Sequence, residues 1–123
     1  MQPSTDNVQR LMEVGFVAVG NGLLVDAETI FFGVQAVRPD SELPLIGRAF
    51  LLMNSKLFGD AIQLLRLAVE KNPDSDFAVS FLGAALKMSG HNHAGNEVLQ
   101  QVLDEGNHVE AVNFAQALMQ NLE

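Results

Sequence analysis

At 123 residues, with 48% apolar and 18% charged side chains, the chain can bury a core and lacks the composition of a disordered protein. Fifteen acidic residues against seven basic ones give a formal charge of -8, which opposes binding to nucleic-acid phosphates and to anionic membrane surfaces. The absence of cysteine rules out a disulfide framework or a thiolate metal site, and no stretch approaches the roughly 18 to 20 uninterrupted apolar residues of a membrane helix.

The segment Met1 to Arg10 has no apolar core of the kind a signal peptide needs, so a soluble, cytoplasmic protein without membrane insertion is expected. From Val8, apolar residues spaced three and four apart predict a first helix through Leu11, Gly15 and Ala18, broken at Gly20 to Gly22. A second helix carries Asp26, an N-terminal signal, then Ala27 and Phe31, and stops at Arg38 and Pro39. The third starts after Ser41 and runs through Leu45, Ala49 and Leu52 to a break at Asn54 to Lys56. The fourth carries Asp60, Ala61 and Leu65 and stops at Asn72 and Pro73. A fifth helix from Ser75 passes Val79, Gly83 and Leu86 to a break at Ser89 to Asn92, and a sixth, with Gly95 and Leu99, closes near Asn107. Finally Val109, Val112, Phe114, Ala115, Leu118, Met119 and Leu122 form an amphipathic pattern over 109–122, expected to cap the molecule. Seven helices and no strand are expected, with breaks near 21, 40, 55, 74, 90 and 107.

These elements repeat. Pro39 and Pro73 lie 34 residues apart, and the same interval links Ala27, Ala61 and Gly95, as well as Gly15, Ala49 and Gly83. Large apolar residues follow it too: Leu11, Leu45 and Val79; Ala18, Leu52 and Leu86; Phe31, Leu65 and Leu99. Glycine or alanine where two helices cross lets their backbones approach. The period divides one domain, 1–123, into helix-turn-helix units of about 8–41, 42–75 and 76–107 and a cap helix, 109–122.

The pattern resembles the tetratricopeptide-repeat (TPR) family over Val8 to Asn107, and Glu42 to Lys71 with Pro73 fits best. Arg48 stands where the family usually has an aliphatic residue, and Asn107 where a third proline is expected. The resemblance implies an all-α solenoid of three repeats plus a capping helix, in which the first helix of each repeat lines a concave groove. Carried onto this chain, the large apolar groove positions are Met12, Phe16 and Val19 in the first unit, Leu43, Ile46, Phe50 and Met53 in the second, and Phe77, Phe81 and Met88 in the third. Such a surface suits the apolar face of a partner helix, and its side chains are expected to lie outside the inter-helix core. An N-terminal segment or a second copy of the chain is the alternative filling. A basic clamp for acidic peptide tails is not implied, because the matching positions are Met12, Phe16, Gly47, Phe77 and Phe81, with Lys87 the one cation.

No catalytic or cofactor chemistry is legible. His91 and His93 stand two apart in a turn, with His108 farther on, which is a weak pattern for a metal and the ordinary one for a solvated turn. The glycines at 15, 20, 22 and 33 follow no strand and precede no basic residue, unlike a phosphate loop. In size, architecture and groove chemistry the chain is similar to the small TPR chaperones of bacterial type III secretion. That resemblance implies a secreted partner such as a needle subunit, together with a second small co-chaperone. A TPR adaptor or scaffold, or a self-associating structural component, is the competing expectation, and a homo-oligomer is compatible with either.

Overall fold

The computed structural model describes residues 4–105 and 109–113. Regular structure among these is helical: α1 (Thr5–Gly20), α2 (Leu24–Val37), α3 (Leu43–Asn54), α4 (Phe58–Lys71), α5 (Asp76–Met88) and α6 (Asn92–Glu105). Helix resumes over 109–113. The expected breaks near 21, 40, 55, 74 and 90 fall between these helices. The one near 107 and the rest of the expected cap helix, 114–122, lie outside the described residues.

Within each pair the chain reverses by one repeated device. Gly22, Lys56 and Gly90, spaced 34 apart, take left-handed φ values of 78°, 62° and 92°. That conformation lets Leu23, Leu57 and His91 donate their N–H groups to the carbonyls of Ala18, Leu52 and Leu86 at 2.8, 2.9 and 2.8 Å. Gly22, Lys56 and Gly90 donate to Val19, Met53 and Lys87, each at 3.0 Å. Orphan carbonyls at the end of the first helix are satisfied by this Schellman arrangement.

Between pairs, proline stops the second helix and serine starts the next. Ser41 and Ser75 donate their N–H groups to the Arg38 and Asn72 carbonyls at 3.1 and 3.0 Å. Ser75 Oγ also caps α5 by accepting from the Ala78 N–H at 3.2 Å. Asp26 and Asp60 sit in the first turns of α2 and α4, where a carboxylate complements the helix dipole. The N-cap positions themselves belong to Leu23 and Leu57, which make no side-chain cap.

Packing follows the small-to-large alternation. Phe31, Leu65 and Leu99 are fully buried on the second helices, as are Ala27 and Ala61. A methyl group placed on Gly15 or on Gly47 would stand 2.8 Å from Phe31 Cζ, so the ring occupies space that only two glycines leave. At Gly83 such a group would meet Leu99 Cγ at 2.6 Å.

Each second helix packs on the first helix of its own pair, and α2 and α4 pack also on α3 and α5. The first helices touch one another, α1 on α3 and α3 on α5, whereas α2, α4 and α6 have no such contact among the described residues. Thus α1, α3 and α5 form the inner layer. Residues Ala78 to Lys87 of α5 are buried throughout. Part of that cover comes from 109–113, where Ala111 is buried and Val112 packs against the cluster of Val79, Leu99 and Val102.

Two outcomes test this account. Gly15→Ala should destabilise the protein by about 1 to 3 kcal/mol through overpacking against Phe31. Gly33→Ala, in α2 with nothing within 4 Å of the added methyl, should stabilise it by about 0.5 to 1 kcal/mol. Urea denaturation of both variants measures the contrast. Lys56→Gly should raise the urea midpoint by relieving a left-handed conformation that costs a side-chain-bearing residue about 1 kcal/mol, with the m-value unchanged.

Candidate protein-binding groove

On the inner layer, residues three or four apart share a face, so each first helix can turn a pair of side chains the same way. Met12 and Phe16 of α1, Leu43 and Ile46 of α3, and Phe77 and Phe81 of α5 line one cleft of about 640 Å³. Gln9, Glu13 and Glu110 complete its lining. The floor is apolar and the rim acidic. Among the described lining residues none is cationic, and both glutamates are exposed.

The other four expected groove positions do not line this cleft. Val19 and Met53 are buried at 1% and 5% exposure, as is Lys87 at 5%, and these three are related by the 34-residue period. Their shared position lies just before the left-handed turn, where first and second helices meet. There the aliphatic part of Lys87 packs against Gly95 and its Nζ donates to Asn96 Oδ1 at 2.8 Å. Lys87 therefore belongs to the α5–α6 crossing, and the expectation that it is the groove's cation is corrected. Met88 is exposed at the last residue of α5.

Phe50, the remaining position, is held in an aromatic cluster. Phe16 lies 5.7 Å from Phe31, 5.4 Å from Phe50 and 6.0 Å from Phe81 between ring centroids, and Phe50 lies 5.7 Å from Phe81. Such pairs are worth roughly 0.5 to 1.5 kcal/mol each beyond the area they bury. Although α1 and α5 have no close backbone approach, their rings meet across α3. The expectation that the groove residues lie outside the core is thus corrected for Met12, Val19, Ile46, Met53 and Phe81, all of which are buried. Phe16, Leu43, Phe50 and Phe77 are half-buried. The chain's own phenylalanines fill the deeper part of the concave side, leaving a cleft along the middle of α1 and the N-terminal halves of α3 and α5.

The fold as a whole is similar to that of solved structures. The first TPR of Spaghetti (RPAP3), bound to the HSP90 peptide SRMEEVD, matches at 24% identity and a TM-score of 0.69 over 99% of this chain and 98% of that one. The fold is that of a TPR domain. The Sgt2 TPR domain from Aspergillus fumigatus matches at 17% identity and a TM-score of 0.72 over 98% and 82% of the two chains. The first TPR domain of human RPAP3 matches at 24% identity and 0.72 over 92% and 90%. No protein-family model and no curated protein matches the sequence.

In this TPR fold His91 lies in the turn, whereas His93, expected there too, belongs to the first turn of α6, and both stay outside the cleft lining. His91 Nδ1 pairs with Ser89 Oγ at 2.9 Å, and His93 Nε2 lies 3.0 Å from Glu97 Oε1, with both of the latter side chains largely solvent-exposed. Sequence reasoning missed Glu110, which reaches the rim from the segment after α6. No repeat position marks it.

Phe81→Ala should lower stability by about 3 to 5 kcal/mol, because it empties a buried site within the ring cluster. Phe77→Ala, at a half-buried cleft position, should cost less than half as much. Guanidinium denaturation of the two variants checks the order.

Proposed function

We propose that this chain binds another polypeptide, receiving the apolar face of an amphipathic helix between Met12, Phe16, Leu43, Ile46, Phe77 and Phe81. The observation that carries the reading is the cleft itself, an apolar depression with acidic edges opening on the inner layer of a TPR fold. Grooves of this kind recognise helices through apolar anchors at three- and four-residue spacing. Met12 and the three lining phenylalanines are side chains that adapt to such anchors.

The finer reading is a chaperone that keeps an aggregation-prone helical segment covered, as the small TPR chaperones of type III secretion do for export substrates such as a needle subunit. Its support is the acidic balance of the chain, the three helix pairs and the apolar groove. Charge separates this cleft from one suited to an acidic tail. The HSP90 peptide SRMEEVD in the RPAP3 structure carries three carboxylate side chains, whereas Glu13 and Glu110 would repel such a ligand here. A helix with basic flanks is the better complement.

Two synthetic helices with the same apolar face, one flanked by lysines and the other by glutamates, test the reading in calorimetric titrations. The lysine-flanked helix should bind more tightly, and added salt should narrow the difference. Phe77→Ser should weaken its binding by roughly 1.5 to 3 kcal/mol, or about ten- to a hundredfold, while leaving the circular dichroism spectrum unchanged. Failure of both helices to bind would overturn the assignment of the cleft.

A further inference from the structure

Asn21–Gly22 is the one Asn-Gly step in the sequence, and it falls at the turn between α1 and α2. Asn21 is the C-cap of α1, at the place that Ser55 takes after α3 and Ser89 after α5. Unlike those serines it carries a side-chain carbonyl carbon that the next backbone nitrogen can attack to close a five-membered ring. Glycine at 22 leaves that nitrogen unshielded by any side chain. Gly20, Asn21, Gly22 and Leu23 are all exposed, so water and hydroxide reach the whole turn.

In the closed turn the reaction is blocked. Asn21 has ψ 6°, and the Gly22 N–H donates to the Val19 carbonyl at 3.0 Å. Ring closure between the Gly22 nitrogen and Asn21 Cγ requires ψ to rotate far from that value and the N–H to leave Val19. The reaction therefore waits on opening of the last turn of α1. That turn is built to open. Gly20 is a helical glycine with nothing within 4 Å of an added methyl, and it weakens the helix end relative to alanine. The last turn of α1 holds no basic residue to complement the dipole, and the bonds that close it lie among exposed residues.

We propose that Asn21 is a site of spontaneous deamidation, gated by opening of the α1–α2 turn. In the opened turn solvent base takes the Gly22 amide proton, and the nitrogen attacks Asn21 Cγ. As the new C–N bond forms, the bond to the side-chain nitrogen breaks and ammonia leaves. Water then opens the succinimide at either carbonyl, giving aspartate or, with the main chain rerouted through Cγ, isoaspartate. Aspartate puts a carboxylate at the negative end of the α1 dipole. Isoaspartate lengthens the main chain by one carbon and draws the Gly22 and Leu23 N–H groups away from Val19 and Ala18, to which they donate at 3.0 and 2.8 Å. Either product loosens α1 against α2, and α1 carries Met12, Glu13 and Phe16 of the cleft lining. Deamidation is thus a one-way change that weakens one wall of the cleft as the protein ages.

Incubation of the full chain at mildly alkaline pH, followed by mass spectrometry of the tryptic peptide 11–48, tests the proposal. Pro39 protects Arg38 from cleavage, and the peptide contains no other asparagine. It should gain the mass of an amide-to-acid exchange, located at residue 21 by fragmentation, and the product should accept a methyl group from protein isoaspartyl methyltransferase. Conversion should be faster in guanidinium, and Gly20→Ala should slow it about two- to fivefold in the folded protein by holding the turn closed. Asn21→Ser, which installs the residue of the two sister turns, should keep the helix content and not convert. The converted form, separated by its added negative charge, should have a lower urea midpoint than the parent. Folded protein that stays unconverted while the guanidinium-unfolded chain reacts overturns the proposal, and so does a Gly20→Ala rate equal to the parent's. A converted form with the parent's midpoint overturns the loosening of α1, and none of these readouts depends on what the cleft binds.

Discussion

Close approach of helices at glycine is the constraint on which the rest of the structure depends. The ring of Phe31 fills the space above Gly15 and Gly47, and the spacing of α1, α2 and α3 follows from that fit. At the opposite end the fit is tighter, because a methyl group on Gly95 would fall 2.8 Å from the Gly83 carbonyl oxygen. In the middle pair an alanine, Ala49, stands at the corresponding place opposite the smaller Leu65. Each crossing thus sets a glycine or alanine on the first helix against Phe31 or a leucine on the second.

The fold was legible because its determinants are local and periodic. Proline stops, small-to-large crossings and three-and-four spacing are all carried by residues within one unit, and they located the helix breaks through residue 90. Arg48 shows how a departure from the pattern can still fulfil the position's role. Where an aliphatic residue would pack on α2, its guanidinium lies on Phe32 and bonds Gln35, so a planar cation does the covering.

The site was legible only in part, for a geometric reason. Which side chains on a first helix open to the cleft depends on the rotation of each helix against its neighbours, and no single unit contains that information. Near the C-terminal ends of α1, α3 and α5 the shared position of Val19, Met53 and Lys87 turns inward to the second helix. Nearer the N-terminal ends, Met12, Leu43 and Phe77 border open space. Glu110 entered the rim from outside the repeats, and the aromatic cluster formed because the three first helices curl far enough for rings on α1 and α5 to meet.

That last contact alters how the array should come apart. A linear repeat protein is ordinarily a chain of nearest-neighbour couplings, in which an end unit can melt while the others persist. Here Phe16 in the first unit touches Phe81 in the third directly, while Phe50 in the second touches both. The couplings close into a triangle instead of a line. Loss of either end unit would strip ring contacts from both of the others, so partial melting gains little entropy for the contacts it forfeits. A three-unit solenoid wired in this way behaves thermodynamically as one cooperative body, with the curvature of its inner surface set before any ligand arrives.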